Sequence, residues 1–193
     1  DRKIYPKFNL LYFSFILREN AIRKLHTLFP DDSIFWDYYD KYQNECINAT
    51  LLESKKHFGS ITEYSLTEFN SISKGKSALA KFIPTGMALL NNNISHISSI
   101  EESLDYFAFA LQMRDDIKDW KEDFLQKNYS YLLTTVAVNH KINIETITLK
   151  ELSQFIFFSK SFDEFYTLAI EYYEKSLKAV ETVPCNSWKF ALE

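Results

Sequence analysis

Asp115, Asp116, Asp119 and Asp123 crowd the stretch Gln112-Met113-Arg114-Asp115-Asp116-Ile117-Lys118-Asp119-Trp120-Lys121-Glu122-Asp123. Residues three or four apart on a helix are surface neighbours, so Asp115, Asp119 and Asp123 stack along one side with Asp116 beside them. Like charges placed in this way repel by about 0.2–0.5 kcal/mol per pair unless cations relieve them. Hard divalent ions such as Mg²⁺ take carboxylate oxygens together with substrate phosphates. The stretch is therefore a candidate metal-diphosphate site, with these four aspartates as the metal ligands.

These side chains need a long helix to hold them. At about 100° per residue, Glu101, Asp105, Gln112, Asp116, Asp119 and Asp123 share a narrow sector, with Phe107, Ala110, Met113, Ile117 and Phe124 well round from it. A solvated acidic face would read the same way. Phe109, Leu111 and Trp120 flank the edge with apolar bulk, however, and a carboxylate cluster in such surroundings needs counter-charge. Lys74-Gly75-Lys76-Ser77-Ala78 precedes it in sequence at an expected helix start, where backbone N–H groups and the helix dipole favour phosphate. It lacks the upstream glycine of a P-loop.

The rest of the chain reads as further helices. It contains only 3 Gly and 4 Pro in 193 residues, and its apolar positions recur at three and four rather than two. Helices are expected at roughly 8–28, 33–57, 61–73, 77–91, 99–125, 131–139, 149–159 and 162–182. Capping boxes are expected at Ser60–Glu63, Ser98–Glu101 and Thr148–Glu151, and Gly59 suits a helix end. Phe162, Phe165, Tyr166, Ala169, Ile170, Tyr173, Leu177 and Val180 trace an apolar stripe on the last long helix. Pro84 falls inside the 77–91 segment and predicts a kink.

Size and composition narrow the class. A length of 193 residues is one domain's worth, so residues 1–193 are expected to form a single helical domain with a sizeable core. The net charge of -4 argues against general affinity for nucleic acid. The longest apolar run, Leu10 to Leu17, is too short to span a bilayer and no signal peptide opens the chain, so a soluble, cytoplasmic protein is expected. Cys46 and Cys185 lack metal spacing and read as two buried thiols in a reducing compartment. The first residue is Asp1 rather than methionine, and the chain is expected to be the downstream part of a longer protein.

Tyr64, Ile72, Lys76-Ser77-Ala78, Leu79 and Phe82, followed by Gln112-x-x-Asp115-Asp116-x-x-Asp119, resemble the downstream half of a trans-isoprenyl diphosphate synthase. That polyprenyl synthetase family, in the class I isoprenoid synthase superfamily, carries Lys-Thr-Ala before Phe-Gln-x-x-Asp-Asp-x-x-Asp, then Gly-Lys. Leu111-Gln112 stands where Phe-Gln would, and Gln126-Lys127 where Gly-Lys would. The resemblance spans about residues 60 to 133. It implies an all-α isoprenoid synthase-like bundle around a central cavity, incomplete at its amino terminus. It also implies Mg²⁺, an allylic isoprenyl diphosphate as substrate, a homodimer as one assembly, and trans-prenyltransferase chain elongation. Lys76, Gln112 and Lys127 would take catalytic roles, and Lys76, Lys127, Tyr64 and Phe109 would bind substrate. Tyr12, Phe13, Phe69 and Phe82 join Phe109 as cavity candidates, though each also reads as core.

Two departures keep other branches open. The spacing of Asp115, Asp119 and Asp123 also resembles the metal triad of class I terpene cyclases. Asp123-Phe124-Leu125-Gln126-Lys127 with Tyr129 and Tyr131 is similar to squalene and phytoene synthases. The first aspartate-rich motif of the family is not evident: Asp31-Asp32 suits a turn, and Asp1 would at most end such a motif. A non-catalytic helical subunit or degenerate homologue is therefore the alternative. A di-iron carboxylate bundle is disfavoured because none of His26, His57, His96 or His140 follows a glutamate in a Glu-x-x-His pair.

Overall fold

The computed structural model describes residues 7–58 and 65–192, which contain α-helices and 3₁₀ turns and no strand. The helices are α1 (Lys7–Leu28), α2 (Phe35–Phe58), α3 (Leu66–Lys76), α4 (Phe82–Leu90), α5 (Ile97–Gln126), α6 (Tyr131–Asn139), α7 (Leu149–Phe158), α8 (Ser161–Ala179) and α9 (Asn186–Leu192). The all-α class follows from the period of the apolar residues. Among the described residues no helix is long and apolar enough to cross a membrane. The chain divides into two compact units, Asp1–Asp40 and Lys41–Glu193.

Aromatic contacts organise the first unit. Phe29 stacks on Phe35 at 3.9 Å, and His26 stacks on Trp36 at 4.2 Å while pairing with Asp31 at 2.9 Å. Asp31 thus serves the turn between α1 and α2.

In the second unit α5 is the axis, packed against α3, α4, α6, α7 and α8. Its apolar side sends Phe109, Met113, Ile117 and Trp120 into a core shared with Phe69, Leu132, Leu133, Val136, Leu152, Ile156 and Phe165. Phe109 is fully buried, stacked on Tyr172 at 3.7 Å and edge-on to Phe69 at 5.0 Å. Such pairs add about 0.5–1.5 kcal/mol each beyond area burial.

Several local expectations shift. The Thr148–Glu151 capping box is present in both directions. Glu101 instead leaves the start of α5, which His96 caps without a side-chain bond, and turns to Lys41 and Tyr42. The Ser60–Glu63 box and Gly59 lie outside the described residues, and α3 begins later with a Ser65–Glu68 box. Pro84 does not kink a continuous helix, because a 3₁₀ turn (Ala78–Lys81) precedes α4 and leaves Pro84 in its first turn, where a missing N–H breaks no bond. On α8 the buried residues are Ser161, Phe165, Ala169 and Ser176, while Tyr166 and Ile170 are exposed. A reciprocal bond pair sets that rotation: Ser176 Oγ donates to Ser103 O and Ser103 Oγ to Ser176 O, both at 2.8 Å. α9 carries no apolar stripe to announce it. It is held by Trp188, whose indole N–H donates to Ser103 Oγ at 2.9 Å. Both cysteines are unpaired and half-buried rather than buried.

Gly75 sets how closely α3 approaches α2. A Cβ there would meet Ala49 Cβ at 2.4 Å and Glu45 O at 2.7 Å. Alanine would gain about 1 kcal/mol of helix propensity. Overpacking against a backbone carbonyl costs about 1–3 kcal/mol, so the clash wins. Gly75→Ala is expected to lower stability by about 1 kcal/mol, read as a fall in the thermal midpoint, even though the same change on an exposed helix would raise it.

Candidate functional site

The acidic edge of α5 meets two different environments. Near its start, Asp105 pairs with Lys81 at 2.6 Å, and Glu101 accepts from Tyr42 Oη at 2.6 Å and Lys41 Nζ at 2.7 Å. Lys81 is 4% exposed, an almost wholly buried ammonium that also reaches Glu45 at 3.2 Å and lies 5.7 Å from the centre of the Tyr42 ring. Tyr42 and Thr85 share a buried hydrogen bond of 2.8 Å beneath it. In sequence Lys81 looks like any surface lysine, because nothing local marks it as enclosed by three elements.

Two turns further on, the edge opens. A cleft of about 160 Å³ is lined by Gln112, Asp115, Asp116, Asp119 and Asp123 of α5, by Phe69, Ile72 and Lys76 of α3, by Glu53 of α2, and by Asn128, Ser130 and Tyr131. The cleft thus collects Lys76, Gln112 and all four aspartates of the proposed site. Phe69 and Tyr131, stacked at 4.6 Å, give it an aromatic wall. Lys127 is elsewhere: it closes α5 in the left-handed conformation, φ 56°, exposed and outside the cleft lining. Phe109 is core rather than lining. Tyr64 lies outside the described residues.

The lysine segment also differs from expectation. Lys76 is the last residue of α3, not the first of a new helix. The dipole there favours the lysine itself and offers no anion-binding N–H groups, so only the side-chain charge serves an anion. Lys76 Nζ lies 2.8 Å from Glu53 Oε1. Among the described lining residues it is the sole cation, against five carboxylates.

Asp116 differs from its neighbours. It is 4% exposed, accepts from Gln112 Nε2 at 3.1 Å through one oxygen and from the Leu132 backbone N–H at 3.4 Å through the other. That N–H is one of the orphan donors at the start of α6, where Ser130 caps with no side-chain bond. Asp116 therefore joins α5 to α6 as a structural acceptor as well as facing the cleft. Burial lifts its carboxyl to about 7, against the lowering effect of Gln112 and the Leu132 and Tyr131 backbone. Asp115 and Asp119 are exposed, with Asp115 3.3 Å from Arg114. Asp123 accepts from Asn128 Nδ2 at 2.9 Å.

The donor set suits a hard divalent cation in chemistry: several carboxylate oxygens on one wall and Ser130 Oγ buried without a hydrogen-bond partner. Among the described residues, no three His, Cys, Asp or Glu side chains already converge on a metal position. Exposed Asp115 and Asp119 have the rotamer freedom to close on an ion. No protein family, curated protein or solved structure matches the chain.

The burial of Asp116 sets a pH dependence. Unfolded, an aspartate titrates near about 3.9; folded, this one titrates at about 7. Between those values the native state binds more protons than the unfolded state, so stability is highest at the acid end and falls as pH rises from about 4 to about 7. Asp116→Asn keeps an acceptor for Leu132 and removes the proton. Denaturant unfolding from pH 4 to 8 is expected to show the wild-type slope exceeding the variant's, by at most about 1.4 kcal/mol per pH unit.

Proposed function

We propose that this cleft binds the diphosphate head of an allylic isoprenyl substrate with Mg²⁺, in a prenyltransferase of the isoprenoid synthase type. One observation carries the reading: Lys76, Gln112 and four aspartates, far apart in sequence as two segments, line the same cleft. At about 160 Å³ it lies below the roughly 300 Å³ at which pockets accept drug-sized ligands. That size suits ions and a phosphate group, and leaves the prenyl chain outside the part described.

Asp115, Asp119 and Asp123 would hold Mg²⁺, and when bound the ion supplies neutralising charge to a departing diphosphate. Lys76 would place its ammonium on a phosphate oxygen, stabilising negative charge that grows as the carbon–oxygen bond of the substrate breaks. Gln112 holds one oxygen of Asp116, keeping the floor of the cleft fixed. Phe69 and Tyr131 exclude water from one side. Elongation by isopentenyl diphosphate is favoured over cyclisation by the likeness of Lys76-Ser77-Ala78 and Gln112 to elongating enzymes.

A second reading, a non-catalytic helical subunit, draws on a specific observation. Lys76 is already committed to Glu53 and Asp116 to the start of α6, so both have structural uses.

Calorimetry separates the two readings. Mg²⁺ and pyrophosphate together are expected to bind the chain at least about tenfold more tightly than either alone. Asp119→Asn should remove that coupling while shifting stability by no more than about 0.5 kcal/mol, as for other surface positions. Absence of coupling in the wild-type chain would leave the structural reading. Incubation with allylic diphosphates, with and without isopentenyl diphosphate, then distinguishes elongation from cyclisation.

A further inference from the structure

We propose that Glu53 gates the cleft: it holds Lys76 until a divalent cation has entered, and so makes anion binding depend on the metal. This rests on the reading of the cleft as a metal-diphosphate site. Glu53 stands on α2 and Lys76 at the end of α3, and their 2.8 Å pair spans two walls of the cleft. Both side chains are part-exposed, 24% and 37%, so an entering ligand reaches them.

The competition is chemical. A phosphate oxygen and the Glu53 carboxylate seek the same ammonium, and Lys76 has no second cation beside it among the described lining residues. Moving Lys76 to phosphate strands Glu53 in a wall that already carries Asp115, Asp116, Asp119 and Asp123. That repulsion, added to the repulsion between the anion and the same wall, opposes entry of a bare anion. A divalent cation shared by carboxylates and phosphate removes both penalties. By linkage, metal and anion then raise each other's affinity by one common factor. The sequence gives no sign of this residue, because Glu53 falls in an ordinary charged helix segment and becomes relevant only where α2 and α3 approach at Gly75.

The test is calorimetric titration of inorganic pyrophosphate into the full chain, with and without Mg²⁺, for wild type, Glu53→Gln, Lys76→Gln and the double variant. Melting curves on the same samples check folding, which loss of a part-exposed ion pair should leave intact. Without Mg²⁺, Glu53→Gln is expected to bind pyrophosphate about tenfold more tightly than wild type, with a smaller further gain from Mg²⁺. The gain should vanish in the double variant. Equal metal-free affinities overturn the gate. So does a gain that persists without Lys76, which would be general charge removal, and so does weaker Mg²⁺-pyrophosphate binding in Glu53→Gln, which would make Glu53 a metal ligand. Wild type that binds no pyrophosphate even with Mg²⁺ sinks the reading of the cleft itself, and the gate with it.

Discussion

Carboxylates along one edge of α5 outnumber the cations that face them, and the fold answers this imbalance differently at its two ends. At the amino-terminal end a buried lysine, Lys81, is drawn between Asp105 and Glu45. A buried ion pair offsets its own desolvation only with good geometry and further bonds. Here the ring of Tyr42 on α2 lies 5.7 Å from the ammonium, and its hydroxyl is fixed in turn by Thr85 of α4 and Glu101 of α5. At the carboxy-terminal end Lys76, already paired with Glu53, is the one cation among the described residues that line the cleft with the aspartates. The surplus negative charge is left on the wall of a cleft.

Much of the frame was legible because it depends on local periodicity. The apolar face of α5 and the Thr148–Glu151 box are fixed by residues close in sequence, whereas the pairing of Lys76 with the aspartates was an expectation carried by the family resemblance of two segments. What was illegible depends on contacts between elements. Gly75 reads as part of a helix start until Ala49 and the Glu45 carbonyl show it to be a point of close approach. Ser176 on α8 is buried because Ser103 faces it across the seam, a partner 73 residues away that no local pattern announces. Lys127 follows the aspartates at a suggestive spacing, yet the left-handed close of α5 carries it away from them.

Asp116 shows how a structural and a chemical role can share one carboxylate. Its two oxygens accept from Gln112 and from the start of α6, which tie it to the frame. Those bonds favour the ionised form, yet desolvation outweighs them and leaves the group poised near neutrality. With each oxygen already accepting a hydrogen bond, it is a weaker candidate for a metal ligand than the exposed Asp115 and Asp119. It is a better candidate for holding the floor from which Asp115, Asp119 and Asp123 project.

That division of labour bears on what the cleft is for. Asp119 makes no hydrogen bond or ion pair among the described residues, and Asp115 reaches only its neighbour Arg114, half in solvent. Neither contributes stability through contacts, and each adds repulsion to the others at helical spacing. A purely structural account explains Asp105, Glu101 and Asp116, all of which have partners, but assigns no use to these two. A ligand that brings positive charge gives them one. Under the proposed gate, Glu53 withholds Lys76 from a free phosphate, and a cation accompanied by an anion would meet that need. The physical asymmetry between the two ends of α5 is therefore a stronger argument for a metal-assisted anion site than the count of aspartates.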